Sequence, residues 1–305
     1  MASLAPGAAN ASTLDVDFEG GSTIYAALPG EVNDVTMTYR TDPALVQPST
    51  GPRRMVGEVV VVDPSVLIQP SSPSLNTYEL KTACLFGVGR ASCRYPERFI
   101  ATLPPRTDQI PNSFQIFLGD GNDSARDRTV GTDVIFDGPG DDKVIGGNGR
   151  TTFHNGTGRD DLWGGYGRDS YSPYADSGNA SEYYSRDVQV SLDNLPNDGF
   201  EGAHKNVHGD IENVFLWEGD DRIEGNWRPN ELSASGGNDT IIGGTGQDKL
   251  DGGAGNDTID AADGEPDRID CGRGNDVAIV DRVDVIVSDS IPYPDAGCET
   301  VTVAG

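Results

Sequence analysis

Basic residues, histidines and large apolar side chains are all scarce in this sequence of 305 residues. Its 22 Lys and Arg stand against 49 Asp and Glu, and the net charge of −27 argues against nucleic acid or an anionic membrane as a partner. No apolar run approaches the ~18 residues that a membrane-spanning helix needs. Hydrophobic residues make up only 35% of the chain, so a compact core is not expected unless something neutralises the acid.

Cysteine is also rare, and the four present lack the C-x-x-C spacing of a zinc site. Cys84 and Cys93 flank a short segment, whereas Cys271 and Cys298 enclose the last strands. We predict a disulfide within each local couple and hence an oxidising compartment, with free buried thiols as the alternative. Residues 1–13, MASLAPGAANAST, are predicted to be either the remnant of a secretory signal peptide or a flexible N-terminus.

Glycine and aspartate are abundant and regularly spaced, with 40 glycines in all. Between residues 137 and 172, a polar residue that closes a glycine-rich turn recurs every nine residues, at Asp142, Thr151, Asp160 and Asp169. The same period, with two ten-residue steps, places further members at Asp123, Asp133, Asp221, Asn230, Asp239, Asp248, Asp257, Asp267 and Asp276. An apolar residue follows two positions later, such as Leu250 or Ile259. A fixed period over this many units indicates stacked supersecondary structure.

Each nine-residue unit is too short for a helix with its connections, and its glycines would destabilise one. A short strand followed by a tight glycine turn fits instead, with the apolar residue pointing inward. Two units then form one coil of eighteen residues. The predicted fold class is all-β: a right-handed parallel β-roll, or β-solenoid, whose core is one side chain wide per strand.

The turns are predicted to bind metal. Glycines allow positive φ and a close approach of neighbouring backbones, and turns on successive coils lie one strand spacing apart, ~4.7–4.9 Å. Two carboxylates and several carbonyl oxygens then face a common gap, which suits Ca²⁺ with its roughly six to eight oxygen ligands. The absence of His and Cys at these positions disfavours transition metals.

The segment GGTGQDKLDGGAGNDTID at 243–260 holds two perfect tandem copies of G-G-x-G-x-D-x-U-x, where U is a large apolar residue. In this the chain resembles RTX proteins, which carry the hemolysin-type calcium-binding repeat. Looser motifs at 22–39, 188–214 and 267–301 resemble secreted actinobacterial members. The resemblance implies several bound calcium ions, with metal-binding residues at Asp123, Asp133, Gly140, Asp142, Gly158, Asp160, Asp169, Gly219, Asp221, Gly237, Asp239, Gly246, Asp248, Gly255, Asp257, Asp267, Gly274 and Asp276.

The same resemblance pairs aspartates on neighbouring coils. The pairs with two carboxylates are Asp123–Asp142, Asp142–Asp160, Asp221–Asp239, Asp239–Asp257, Asp248–Asp267 and Asp257–Asp276. Three further pairs lack one carboxylate and are expected to be weak or empty: Asp133–Thr151, Thr151–Asp169 and Asn230–Asp248.

The predicted organisation has two repeat arrays, at 119–172 and 215–280. Residues 14–118 are predicted to be metal-poor coils of the same solenoid with an N-terminal cap, or alternatively a separate small β-sandwich. Residues 173–214 form an insertion of irregular coils, and 281–305 form a C-terminal cap held by a disulfide.

Histidines and tyrosines are further candidate site residues. His204 and His208 lie four residues apart near acidic groups, but the H-E-x-x-H pattern is absent, so a structural role is favoured. His154 falls in a variable position of the repeat and is predicted to be solvated. Four tyrosines in or just before the insertion either form a ligand surface or, as we favour, cover the core: Tyr171, Tyr174, Tyr183 and Tyr184.

These features predict a secreted, non-enzymatic, calcium-binding structural protein of a cell surface, matrix or fibre, rigidified by extracellular calcium. Candidate partners besides calcium are other copies of the chain, end to end, and cell-surface polysaccharide. The alternative is a secreted enzyme or a carbohydrate-binding or adhesion module that uses the repeats as a folding and secretion tail. A catalytic domain would have to lie in 14–118, which contains no histidine.

Overall fold

The structure is a computed structural model that describes residues 113–128, 131–174, 184–287 and 297–304, together with the backbone of six earlier strands. Side chains are described from residue 115 onward. The N-terminal segment predicted at 1–13 lies outside the described residues except for Thr13, with which the first strand begins.

Short strands follow one another along the described chain. The first seven are β1 (Thr13–Asp17), β2 (Ser22–Ala26), β3 (Asp34–Thr41), β4 (Gly57–Leu67), β5 (Gln69–Pro70), β6 (Cys84–Arg94) and β7 (Ser113–Phe117). The next ten are β8 (Ser124–Asp127), β9 (Thr132–Phe136), β10 (Lys143–Ile145), β11 (Arg150–Asn155), β12 (Asp161–Trp163), β13 (Ser170–Pro173), β14 (Val188–Ser191), β15 (Gly199–Phe200), β16 (Asn206–Val207) and β17 (Asn213–Phe215). The last nine are β18 (Arg222–Glu224), β19 (Glu231–Ser233), β20 (Thr240–Ile242), β21 (Lys249–Asp251), β22 (Thr258–Asp260), β23 (Arg268–Asp270), β24 (Val277–Val280), β25 (Val285–Val287) and β26 (Thr300–Val303).

From β7 to β13 and from β17 to β26, successive strands alternate between two faces of a spiral, which confirms the predicted β-solenoid. One face is a twelve-stranded sheet in the order β25-β23-β21-β19-β17-β13-β11-β9-β7-β2-β1-β5. The other face consists of two seven-stranded sheets, β16-β12-β10-β8-β3-β4-β6 and β15-β14-β18-β20-β22-β24-β26. Within the arrays all pairings are parallel and join residues one coil apart, as Leu232 with Leu250 and Ile241 with Ile259.

The core is a row of apolar side chains along each sheet. In β18, β20 and β22, each three residues long, the central side chain is buried and its two neighbours on the outer face are partly exposed, as the pleat requires. The predicted inward positions are at most 2% exposed: Val144, Phe153, Leu162, Tyr171, Ile223, Leu232, Ile241, Leu250, Ile259, Ile269 and Ala278. Each buried Leu or Ile contributes about 1.5–3 kcal/mol relative to an exposed position.

The insertion at 173–214 interrupts the spiral on one face only. Strand β13 pairs directly with β17, where Ser170 lies opposite Asn213, so the twelve-stranded sheet runs through without a break. On the opposite face, β16 ends the first seven-stranded sheet, and β14 with β15 begins the second. The inserted residues therefore close one sheet and open the next while the other face keeps its register.

Residues 14–118 join the same sheets through their backbone. Strands β2 and β3 pair in parallel with β7 and β8. Strands β1, β4 and β6 are added to them antiparallel. Whether this part is a cap or a separate unit stays a prediction.

The C-terminal disulfide joins Cys271 to Cys298, with the two Cα atoms 5.3 Å apart. The predicted pairing of these two cysteines is confirmed. Cys84 and Cys93 both lie in β6, and their side chains are outside the described residues. Among the described residues, no helix is long and apolar enough to cross a membrane.

Candidate metal centres between stacked turns

Each turn-closing aspartate reaches back to the preceding coil. Oδ1 of Asp257 accepts a hydrogen bond from the backbone N–H of Asp239 at 2.9 Å, and Oδ1 of Asp239 accepts one from Asp221 at 2.7 Å. All six predicted two-carboxylate pairs are joined by this bond, at 2.7–3.0 Å: Asp123–Asp142, Asp142–Asp160, Asp221–Asp239, Asp239–Asp257, Asp248–Asp267 and Asp257–Asp276. The aspartates therefore form ladders along the edges of the solenoid.

The pairs with a single carboxylate follow the same geometry. Oδ1 of Asp169 accepts the N–H of Thr151 at 2.6 Å, and Oδ1 of Asp248 accepts that of Asn230 at 2.8 Å. Asp133 lies opposite Thr151 in the register of β9 and β11. Thr151 and Asn230 keep the spacing of the ladder but bring no second negative charge to their gaps.

In eight of the ladder aspartates, the second carboxylate oxygen is buried without a hydrogen-bond partner. This holds for Oδ2 of Asp142, Asp169, Asp221, Asp239, Asp248, Asp257, Asp267 and Asp276. Each of these residues is at most 3% exposed. Burying an unpaired carboxylate oxygen costs folding free energy, and a cation bound in the gap would offset that cost.

Burial and neighbouring charge raise the pKa of these carboxyls. Burial is the largest cause for Asp142, whose pKa rises to about 9, and for Asp221, whose pKa rises to about 8. The nearby carboxylate of Asp239 raises the pKa of Asp221 further. Burial likewise raises the pKa of Asp169 to about 8 and that of Asp239 to about 6. It raises the pKa to about 7 in Asp248, Asp257 and Asp267. Burial also raises the pKa of Asp276 above its usual value.

Glycines shape the gap around the free oxygen. The seven candidate glycines have φ between 116° and 157°: Gly140, Gly158, Gly219, Gly237, Gly246, Gly255 and Gly274. A Cβ added to Gly255 would overlap the carbonyl oxygen of Gly237 on the preceding coil. A Cβ on Gly252 would lie 2.6 Å from Oδ2 of Asp257, so a side chain there would fill the space beside the unpaired oxygen.

The donor set fits a hard dication. At Gly252, the unpaired Asp257 Oδ2 and the main-chain carbonyl oxygen of Cys271 both lie 2.6 Å from the position of an added Cβ, and no histidine or free thiol is among the ladder residues. Calcium takes this kind of flexible, oxygen-only site, whereas transition metals prefer nitrogen or sulfur. Bound calcium would neutralise carboxylates that otherwise repel one another.

Three acidic residues extend the ladders where the nine-residue period fails. Oε2 of Glu212 accepts the N–H of Asp169 at 2.9 Å, and Oε2 of Glu299 accepts that of Asp276 at 2.7 Å. Oδ1 of Asp284 accepts the N–H of Asp267 at 3.0 Å. Sequence reasoning missed them because loops of irregular length hide their register. The sheet pairing of β13 with β17 is the signal that places Glu212 beside Asp169.

His154 and His208 both stack on neighbouring aromatic rings. The His208 ring stacks on Trp163 at a centroid distance of 3.5 Å, and its Nε2 lies 2.7 Å from Oδ1 of Asp161. The prediction that His154 is solvated is wrong, because its ring is half-buried and stacks on Phe136 at 4.6 Å.

The tyrosines divide between the core and its cover. Tyr171 is fully buried as the inward residue of β13, and Tyr184 packs against Trp217 at 5.1 Å. Tyr174 is 39% exposed and lies edge-on to Phe136. Tyr183 lies outside the described residues.

Parallel stacked coils with oxygen-lined turns define a calcium-binding β-roll. The family model of the RTX calcium-binding nonapeptide repeat matches four copies in the chain, at residues 129–153 and 230–265. The chain therefore carries RTX calcium-binding repeats, one block in each array. No curated protein matches the sequence. The ladder geometry extends the repeats beyond the matched residues, to Asp160, Asp169, Asp221 and Asp276.

Proposed function

We propose that this protein is a secreted structural component of a cell surface, matrix or fibre, and that calcium binding between its coils folds and rigidifies it. The single observation that carries the proposal is the row of buried, unpaired Oδ2 atoms on successive coils. The RTX repeats support calcium as the ion.

Calcium binding is coupled to folding in this proposal. Without metal, carboxylates one coil apart repel, and the glycines of the turns retain their conformational freedom. The binding free energy of the ions is then part of the folding free energy. Six two-carboxylate gaps filled with calcium would bring twelve positive charges against a net −27, which leaves the protein acidic but relieves the local repulsion.

This coupling and the disulfide both support the proposal that the protein is secreted. Extracellular calcium modules bind at ~10⁻⁴–10⁻³ M, so cytosolic calcium would leave the gaps empty and extracellular calcium would fill them. The Cys271–Cys298 disulfide also fits an oxidising compartment. A chain that is loose inside the cell and rigid outside is suited to export followed by folding.

A non-enzymatic role is part of the proposal. The proposed role of the described ladder residues is metal ligation, and no catalytic role is assigned to any of them. The alternative, a catalytic or carbohydrate-binding unit in 14–118 with the repeats as its tail, is tested separately by expressing the full chain and assaying glycan binding and hydrolysis with and without calcium.

The proposed ligands are tested by calorimetric titration with calcium. Asp257 lies between Asp239 and Asp276, so Asp257→Asn removes one carboxylate from two gaps and is expected to weaken both by on the order of tenfold or more. The matched control is Asp260→Asn, in the same repeat but on the outer face of β22. It should bind as the wild type does. Equal titrations of wild type and Asp257→Asn would refute the ligand assignment.

A further inference from the structure

Lys205 is a buried lysine at the end of the first array. It is 1% exposed, and its Nζ donates hydrogen bonds to Oδ2 of Asp160 and to the carbonyl oxygen of Gly156, the latter at 2.7 Å. Asp160 is itself 2% exposed. A buried charge pair of this kind is expensive to desolvate, and it persists only with well-placed partners.

The register of the sheet gives Lys205 a defined place in the ladder. Asp161 in β12 lies opposite Asn206 in β16, so Lys205 lies opposite Asp160. Asp142 and Asp160 occupy the equivalent positions on the two coils before it. Lys205 therefore takes the position at which the next turn-closing aspartate of this edge would be.

The partners of the ammonium are the kinds of atom that calcium would use. Asp160 Oδ2 is the second oxygen of a ladder aspartate, and Gly156 O is a main-chain carbonyl of the same turn. In the gaps of Asp142 and Asp257 the corresponding Oδ2 has no hydrogen-bond partner. In Asp160, by contrast, Oδ2 accepts a hydrogen bond from the ammonium of Lys205.

The surroundings of the ammonium are acidic. Carboxylate oxygens of Asp137, Asp142 and Asp160 all lie within 4.8 Å of one another. The Asn155 amide donates to Asp160 Oδ2 at 2.8 Å and also to Asp137. A positive charge at Lys205 offsets part of this buried negative charge.

The insertion holds the lysine in place. Lys205 and Asp198 exchange two backbone hydrogen bonds, both 3.0 Å long. The aliphatic stem passes Gly199, where an added Cβ would lie 2.8 Å from Lys205 Cδ. The backbone and a neighbouring glycine thus both favour the inward path of the side chain.

We infer that the Lys205 ammonium takes the place of a calcium ion in the gap between the coil of Asp160 and the coil of Lys205. This inference rests on the proposed calcium binding of the other gaps. The cation is covalently attached, so this end of the ladder is closed at any calcium concentration. The first array then has a preformed end against which the calcium-filled coils stack.

Three substitutions test the inference, each measured by calcium calorimetry and by denaturant unfolding in chelator and in calcium. Lys205→Asp restores the ladder residue and is expected to bind one more calcium ion per chain than the wild type. It should be less stable than the wild type in chelator and regain its fold in calcium. Lys205→Met removes the charge at similar length; it should unfold at lower denaturant in chelator and gain no ion. Lys249→Met, at a lysine whose side chain is 57% exposed, is the control and should match the wild type.

The outcomes separate this inference from the proposed function. A wild-type chain that binds no calcium contradicts the proposed function. A wild-type chain that binds calcium, together with a Lys205→Asp variant that gains no ion or does not fold in calcium, overturns the inference alone. A Lys205→Met variant that unfolds in chelator at the wild-type midpoint overturns it as well.

Discussion

Oδ1 of Asp257 accepts the backbone N–H of Asp239 at 2.9 Å on the preceding coil, while Oδ2 of the same carboxylate is buried without a partner. One oxygen of the side chain thus bridges two coils, and the other is left free for the proposed calcium ion. Because this arrangement recurs along the ladders, the residues that hold the coils together are also the proposed calcium ligands.

In chelator, the protein should become less stable as pH rises. The folded-state pKa of Asp142 is raised from 3.8 to about 9, and that of Asp248 from 3.8 to about 7. The folded chain therefore holds protons that the unfolded chain releases, and the free energy of unfolding falls between about pH 4 and pH 9. Denaturant unfolding in chelator across this window checks the sign, and stability that rises with pH would contradict it.

The calcium affinity of the protein should depend on pH. Calcium and protons compete for the same carboxylates, so the apparent calcium affinity is expected to fall on acidification. Calorimetric titrations at several pH values measure the change. An affinity that does not vary with pH would show that these carboxyls are not the ligands.

Replacing Gly255 by alanine should destabilise the fold by more than ~1 kcal/mol. Its φ is 147°, and an added Cβ would overlap the Gly237 carbonyl. Gly202→Ala is the control, because Gly202 also has a positive φ, 80°, but an added Cβ meets nothing within 4 Å. The difference between the unfolding free energies of the two variants gives the cost of the overlap between neighbouring coils. Equal losses would contradict the predicted overlap.

Removing the disulfide should weaken the last gap of the second array. Cys298 precedes Glu299, whose Oε2 is 2.7 Å from the backbone nitrogen of Asp276. The bond closes a segment of 27 residues, and its loss should cost about 3–4 kcal/mol by loop entropy. Calcium affinity and stability should both fall in the Cys271→Ser, Cys298→Ser double variant.

Glu299→Gln, with the disulfide intact, separates the two effects. It should weaken calcium binding at this gap with little loss of stability in chelator. Unchanged calcium binding in both variants would remove Glu299 from the proposed ladder.

Asn230→Asp should complete a gap that has one carboxylate. Asp248 Oδ1 is 2.8 Å from the backbone nitrogen of Asn230, as in the full pairs. The variant is expected to bind one more calcium ion per chain by calorimetry. Asn238→Asp is the control, since Asn238 is exposed and bonds to Asp220 on the outer surface. An added ion in both variants would indicate nonspecific binding to added charge.

The period of the sequence predicts most of the described fold. A turn glycine, an aspartate and an apolar residue at fixed offsets leave one consistent arrangement, in which Leu250 and Ile259 face inward. Because strand pairing follows from the coil length, the pairing of Asp239 with Asp257 could be predicted from numbering alone. Wherever the repeat is regular, the residue offsets within one unit therefore predict the pairing between coils.

Residues beyond the regular repeat could not be placed in this way. Lys205, Glu212 and Glu299 occupy ladder positions, but 45 residues separate Lys205 from Asp160, and 43 separate Glu212 from Asp169. The length of such a loop does not determine which residue beyond it lies opposite a given ladder aspartate. That register depends on tertiary packing. The burial of His154 has a different cause: its stacking partner Phe136 lies opposite it on the outer face, where strand alternation alone predicts contact with solvent.

The most direct test is far-ultraviolet circular dichroism of the full chain, titrated with calcium from excess chelator and repeated with magnesium. Calcium-coupled folding predicts a reduced strand signal in chelator from a residual, less stable fold, a cooperative rise with calcium near ~10⁻⁴–10⁻³ M, and a smaller response to magnesium. A full strand signal in chelator that calcium does not change would contradict it.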